Sequence, residues 1–373
     1  MAYHKRTVLP IGIHLGAEAV HMVQLDQAEN DVQVVSKASL YFPQGGPGDL
    51  ATVTTDGNVV EETSTEAAEY NNEMALEFIR KKVTSNGFRG KDAVISLPSH
   101  DLVIQHVRLA TMQPEEMAAA MMYELRGKLP FDPQQAVVRH IVAGTVSENN
   151  ETKQDVIVLA ARRSVVEKHV AEMGRLGIQV VGVGAEPCAM CHAYAFAATH
   201  AMASQEGPPS LMLVHLGARR THVAILRGQE TTFVKGLTQG TGELTKALAK
   251  AGCMPIEAAA TLRASWCEAP TPEHLDAAVE GYNSIRPALE HFVDEIESCL
   301  RYHASLTRGA RVDRLYFLGA DARDRGLVRV LSANLTVPCE LGDPIGILTG
   351  RQGPQHAEPE TAVSVGLSLF SAQ

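Results

Sequence analysis

The stretch HLGAEAVH, residues 14–21, returns almost unchanged as HLGARRTH, residues 215–222. The first copy lies inside LPIGIHLGAEAVHMVQL and the second inside LMLVHLGARRTHVAIL. In both, β-prone apolar runs flank a Gly-containing turn, which predicts a β-hairpin that opens and closes on histidine. A repeat at this long spacing, with alternating strand and helix patterns after each copy, predicts two similar lobes facing a cleft.

The whole chain is compatible with that plan. Its 373 residues suffice for two ordinary domains or one large bilobed unit. Aromatic residues make up only 5%, so the core must rest on Val, Leu, Ile, Ala and Met. The formal charge of −10 argues against general nucleic-acid binding, which needs a basic surface to displace counterions from phosphates. The opening apolar run is broken by Gly, His and Glu, unlike a signal peptide. No window reaches the ~18 consecutive apolar residues of a membrane span. The chain therefore reads as cytoplasmic, with no nucleic-acid partner and no direct membrane insertion.

Six cysteines without a framework spacing fit free thiols in a reducing compartment. Cys188, Cys191 and His192 spell the C-x-x-C-H of haem attachment. They also open an Ala-rich helical segment, so buried helix cysteines are the reading preferred, with a haem or structural metal as the alternatives.

Further along, Val32–Phe42 continues as a strand. Residues 43–71, rich in Gly, Pro, Thr, Asn and acid, read as a flexible surface loop. Met74, Ile79 and Val83 recur near helical spacing between Asn72 and Ser85. Residues 92–183 then follow a ββ-α-ββ-α-β order, which suggests a small α+β module inserted into something larger. In its first helix, Pro114 and two acids mark the first turn. The second half restarts after residue 207 with the repeated hairpin, a Gly-rich turn, several helices and a closing apolar helix. Pro287 should break or kink the longest of these helices.

Seven segments in order carry a family resemblance: IGIHLGAEAVHMVQL (residues 11–25), the module through its Pro130-Phe131 corner (93–138), AEPCAM (185–190), the second hairpin with QGTGELTKALA (214–249), VDEIESCLRYH (293–303), LYFLGADARDRGLVRVL through LGDPI (315–345) and TAVSVGLSL (361–369). They resemble the actin-like ATPase superfamily and, within it, the type IV pilus assembly protein PilM family, related to FtsA. The resemblance implies an α/β actin-like ATPase fold, two RNase-H-like lobes around a cleft, with an inserted α+β subdomain of the FtsA/PilM 1C (SHS2) type. It implies residues 1–91 and 176–207 as the first lobe, 92–175 as the inserted subdomain, 208–349 as the second lobe with a smaller helical subdomain at 237–300, and 350–373 as a C-terminal segment with the closing helix.

In such a fold the two hairpin turns hold nucleotide phosphates by backbone amides. The residues implied here are His14, Gly16, Ala17 and Glu18 in the first loop. The second contributes His215, Gly217, Arg219, Arg220 and Thr221, with Gly240, Gly242, Gly319 and Ala320 completing the pocket. The chain departs from the family at several of these. Active members begin each hairpin with an Asp that organises Mg²⁺, a cation that prefers oxygen ligands. Here both are histidine. Glu18 would repel a phosphate, Ala320 adds a Cβ where the base is met by bare backbone, and Ala260 replaces a ribose-holding acid. Asp26 and Asp321 are the nearest carboxylates by sequence, and both read as surface-turn residues.

The expected protein is thus a non-catalytic scaffold of a type IV pilus, type II secretion-like or competence apparatus, with no catalytic residues, no cofactor and no assigned metal. Three readings of the cleft stay open: simple drift after loss of catalysis, metal-free binding of ATP, and a transition metal held by His14 and His215, for which the sequence names no third ligand. An ATPase that still uses ATP and Mg²⁺ is the alternative function. The resemblance also implies a partner, the short cytoplasmic tail of a PilN-like inner-membrane protein, placing the chain peripherally at that membrane, with self-association open. Met117, Met121 and Met122 would form the adaptable apolar face for that tail, or else simply be core.

Overall fold

The computed structural model describes residues 6–370, apart from 29–30, 43–50, 56–57, 63–64, 86, 149–150, 202–207, 238, 269–270, 308 and 352–355. The chain opens with β1 (Thr7–Val8), β2 (Ile11–Leu15), β3 (Ala19–Ala28) and β4 (Asp31–Tyr41). A two-stranded antiparallel pair follows, β5 (Ala51–Thr55) and β6 (Asn58–Glu62), then α1 (Thr65–Thr84). The surface loop expected over 43–71 is corrected here: 51–55 and 58–62 pair as strands and the helix starts at 65, while 43–50 lie outside the described residues.

β7 (Asp92–Ser96) pairs in parallel with β2. Next come β8 (Val103–Ala110), α2 (Pro114–Glu124), β9 (Ala136–Glu148), β10 (Glu151–Arg162), α3 (Arg163–Arg175), β11 (Gln179–Gly184) and α4 (Glu186–Ala201). Because β7 and β11 are both strands of the first sheet, the boundary expected at residue 92 is corrected. The inserted sheet is β8-β10-β9 alone, all antiparallel, and it starts at Val103. Its two faces follow the period of two along a strand. Val156 and Val158 meet α2, while Ile157 faces the core shared with the lobes.

The second lobe contains β12 (Ser210–His215), β13 (His222–Arg227), β14 (Glu230–Gly236), α5 (Gly242–Ala251), α6 (Ile256–Glu268), α7 (Pro272–Ser284), α8 (Arg286–Leu306), β15 (Arg314–Leu318), α9 (Arg325–Asn334), β16 (Cys339–Leu341), α10 (Pro344–Thr349) and α11 (Ala362–Ser368). As Pro287 suggested, the long helical stretch is interrupted: α7 ends at Ser284 and α8 restarts with the proline in its first turn. None of the described helices is long and apolar enough to cross a membrane.

The two sheets share a plan. The first runs β4-β3-β2-β7-β11 and the second β14-β13-β12-β15-β16. Each is an antiparallel three-strand meander continued by two parallel strands. The sequence repeat is therefore a repeat of topology.

Both faces of the first sheet are covered. Val20 and Met22 of β3 pack with Ile79 of α1, while Val23 and Leu25, on the opposite face, join a core with α4 and the second lobe's Leu211 and Leu213. α11, every residue of which is buried, returns to the first sheet. It approaches so closely that a Cβ at Gly12 would sit 1.9 Å from the Ser364 carbonyl oxygen. One at Gly366 would sit 1.7 Å from that of Ala189 on α4. α4 and α11 thus lie between the lobes, and they aim the start of α4 at both hairpins.

Candidate functional site

Strand pairing fixes where the four hairpin histidines stand. His14 is the cross-strand partner of His21 on β2 and β3, and His215 that of His222 on β12 and β13. The first tight turn closes on a backbone bond, Gly16 N–H to Ala19 O at 2.9 Å, while the second is held from outside by Thr241 N–H to Gly217 O at 3.0 Å and Gly242 N–H to Ala218 O at 2.9 Å. All four side chains are buried. His14 stacks on His21 with ring centroids 5.9 Å apart and meets His215 edge-on at 5.6 Å, so the rings of the two lobes touch across the cleft. Gly319 has φ +93° over the second hairpin, and a Cβ there would fall 2.4 Å from the Leu216 carbonyl oxygen and 3.2 Å from His215 Nε2. A side chain at that position would push on the imidazole.

Glu186, the first residue of α4, points into this group. Its carboxylate is 4% exposed for the whole residue and meets three imidazoles. His222 Nδ1 donates to Oε1 at 2.7 Å. His215 Nδ1 lies 2.8 Å from the same oxygen, outside hydrogen-bonding angles. His14 Nε2 is 3.4 Å from Oε2. Burial alone would push the Glu186 carboxyl up, but His215, His222 and His14 together hold it well below the usual carboxylate range. Burial lowers the His14 imidazole against the opposing pull of Glu186. It also lowers His21 well below the ordinary value, helped by His14, His215 and Arg323. His21 Nδ1 is instead 2.9 Å from Ser39 Oγ. A carboxylate sharing its charge with buried imidazoles is an arrangement suited to proton storage or to a borderline metal ion, and unsuited to a phosphate.

A small cavity of about 40 Å³ opens above this floor. It has room for a few waters by the measure of ~10–15 Å³ each. It is lined by His14, Gly16, Ala17, Glu18, His215, Gly217, Arg219, Arg220 and Ala320, all foreseen in the sequence, and also by Glu186, His21 and Ser99. Thr221 is fully buried behind the turn. Gly240 and Gly242 back onto the Ala218 carbonyl and support the loop from outside the cavity.

Other expected residues take different roles. Asp321, read as a surface-turn acid, is corrected: it accepts from Thr241 Oγ1 at 2.5 Å and from the buried guanidinium of Arg263 at 3.2 Å. Arg263 also donates to Tyr282 Oη and Thr245 Oγ1, so this network ties α6 to the turn after β15. Asp26 is likewise no turn residue; it sits buried on β3, bonded by Arg6 at 2.6 Å. Met117 and Met121 fill the inserted subdomain's own core with Val107, Leu109 and Leu125, so of the two readings it is the core one, and not the partner face, that the packing fits. Met122 is half-buried beside them. Cys188 and Cys191 are free thiols whose burial raises both to about 12, which makes them poor thiolate ligands. His192 packs edge-on against Phe370.

Comparison with known proteins accords with this geometry. The profile of the family described as type IV pilus assembly protein PilM matches residues 12–370. The chain belongs to the type IV pilus assembly protein PilM family. Among solved structures, the PilM–PilN type IV pilus biogenesis complex superimposes with a TM-score of 0.70 at 22% identity, covering 96% of this chain and 97% of the other. The ethanolamine utilization protein EutJ from Carboxydothermus hydrogenoformans follows with a TM-score of 0.52 at 16% identity, covering 98% and 90%. At these identities the likeness concerns the fold: this PilM-family chain has the actin-like ATPase architecture. Sequence reasoning missed Glu186 as a cleft residue. The available signal was its place in the Glu-Pro start of α4, directly after a strand that ends at the cleft.

Proposed function

We propose that the chain is a non-hydrolysing actin-like scaffold of type IV pilus assembly that receives the cytoplasmic tail of a PilN-like inner-membrane protein. The observation that carries this reading is the cleft floor. Imidazoles stand at both hairpin positions where an acid would hold Mg²⁺, and the nearby buried carboxylate, Glu186, is already engaged by them. Hard Mg²⁺ gains little from such a set. Family membership supports the assembly role, and the solved PilM–PilN complex of the related fold supports the class of partner. The partner tethers the chain to the cytoplasmic face of the inner membrane.

Calorimetry and phosphate release test it. The expected result is no binding heat for ATP with or without Mg²⁺ and no phosphate released, while a PilN-type tail peptide is retained without nucleotide. Stoichiometric, Mg²⁺-dependent ATP binding would overturn the scaffold reading. Heat from ATP in EDTA alone would support the second reading, metal-free nucleotide binding, which rests on Arg219 and Arg220 at the cavity rim.

A further inference from the structure

We propose that His14, Glu186 and His215 form a binding site for one borderline divalent transition-metal ion, with Zn²⁺ as the representative. The site goes beyond the scaffold reading and stands whether or not nucleotide binds.

The geometry is that of three ligands from three separate elements. One ligand atom from each residue can be chosen so that all lie within 4.8 Å of one another. Zn²⁺ bonds imidazole nitrogen and carboxylate oxygen at ~2.0–2.2 Å, so two tetrahedral ligand atoms stand about 3.3 Å apart. His14 Nε2 and Glu186 Oε2 are 3.4 Å apart. His215 Nδ1 and Glu186 Oε1 are 2.8 Å apart, so a separation of about 0.5 Å more would place both on one ion. Both nitrogens of His215 are buried with no hydrogen-bond partner among the described residues. Orphaned buried polar atoms are costly, and a metal ion is one way to satisfy them.

The surroundings supply what a metal site needs beyond its ligands. His222 donates from Nδ1 to Glu186 Oε1 at 2.7 Å, the outer hydrogen bond that orients a ligating carboxylate. Gly319 keeps the space beside His215 Nε2 clear. The adjoining cavity has room for a water as fourth ligand. Two imidazoles with one carboxylate select Zn²⁺, Co²⁺ or Ni²⁺ over Mg²⁺ and Ca²⁺. Since His14 belongs to the first lobe, His215 to the second and Glu186 to the helix between them, a bound ion would clamp the lobes together where nucleotide does so in active relatives of the fold.

The test uses the full chain, stripped with EDTA and dialysed against Zn²⁺, with Co²⁺ as the spectroscopic probe. One tightly held equivalent of Zn²⁺, and Co²⁺ absorption bands of a four- or five-coordinate site, are expected. Glu186→Gln and His14→Ala should each weaken Zn²⁺ affinity at least 100-fold. His222→Asn, which removes only the orienting bond, should weaken it about 10–100-fold while keeping one equivalent. His169→Ala, at a separate cluster with Asp101 and Glu172, should leave the affinity unchanged. If the cleft variants do not fold, anomalous scattering at the zinc edge from Zn²⁺-soaked crystals of the unaltered chain decides the matter. An ion among residues 14, 186 and 215 supports the site, and an ion elsewhere overturns it. Retention of less than a tenth of an equivalent, or affinity unmoved by the cleft substitutions, also overturns it. None of these results depends on whether ATP or a tail peptide binds.

Discussion

Glu186→Gln is the perturbation with the most to say about the cleft, because the change keeps the shape of the side chain and removes only its charge. In the native chain the carboxylate accepts from His222 at 2.7 Å and lies 2.8 and 3.4 Å from His215 and His14. A hydrogen bond to a charged group contributes ~1.5–3 kcal/mol, and a neutral one about 1 kcal/mol. Glutamine retains one acceptor oxygen, enough for His222, and places an amide where the other oxygen stood. One charge-assisted contact becomes neutral, at ~0.5–2 kcal/mol, and the long 3.4 Å contact to His14 is lost, at ~1.5 kcal/mol, so the net loss should be about 2–3.5 kcal/mol. For 373 residues, unfolding entropy of ~2.1 cal/mol/K per residue makes that about 3–4 °C in Tm. The assay is calorimetric melting in EDTA, so that only the protein's own network is read, with urea unfolding alongside. Glu186→Leu should melt lower still, by the ~3–5 kcal/mol that follows removal of one partner from a buried pair. A glutamine variant melting within a degree of the native chain, or a leucine variant more stable than the glutamine one, would refute the idea that the carboxylate anchors the imidazoles.

Two other outcomes follow from the packing. His303 on α8 is buried, with Nε2 3.1 Å from the Thr232 hydroxyl, which itself donates to the Ile225 carbonyl. Burial lowers its imidazole below the ordinary 6.5, so on acidification the unfolded chain takes up a proton before the folded one does. Its contribution is fully present above about pH 6.5 and is lost as pH falls towards the folded value, at no more than ~1.4 kcal/mol per pH unit. His303→Asn should therefore show a shallower loss of stability between pH 6.5 and 5 in urea titrations, and an unchanged slope would contradict the assignment. Gly366→Ala should cost about 3 kcal/mol, at the upper end of overpacking penalties, because its Cβ would enter the Ala189 carbonyl; a normal melting point would show that α11 can shift away from α4.

The parts of the fold set by local pattern were legible in the sequence. Both hairpins announced themselves by repeated wording, and Pro287 marked the break before α8. The β5–β6 pair was not seen, because its Thr, Asp, Gly and Asn content resembles loop composition. The Asp56-Gly57 dipeptide between two β-prone runs was the overlooked turn signal. The spacing of Met117 and Met121 established a helix face but not what covers it; the Val107–Leu109 strand does. The start of the inserted subdomain was misread because β7 and β8 are adjacent in sequence yet pair in different sheets. Glu186 illustrates the general limit. It is 172 residues from His14 and 36 from His222 in sequence, and only the closure of two lobes on α4 brings it to both.

The return of α11 to the first sheet sets an order of events during synthesis. The space behind Gly12 stays open until residues 362–368 have left the ribosome, about 350 residues later. At ~5–20 residues per second that is roughly 20–70 s in which the N-terminal strands exist without their covering helix. An early apolar surface exposed for that long is a natural target for chaperones, and the final turn of helix acts as the latch that ends the exposure.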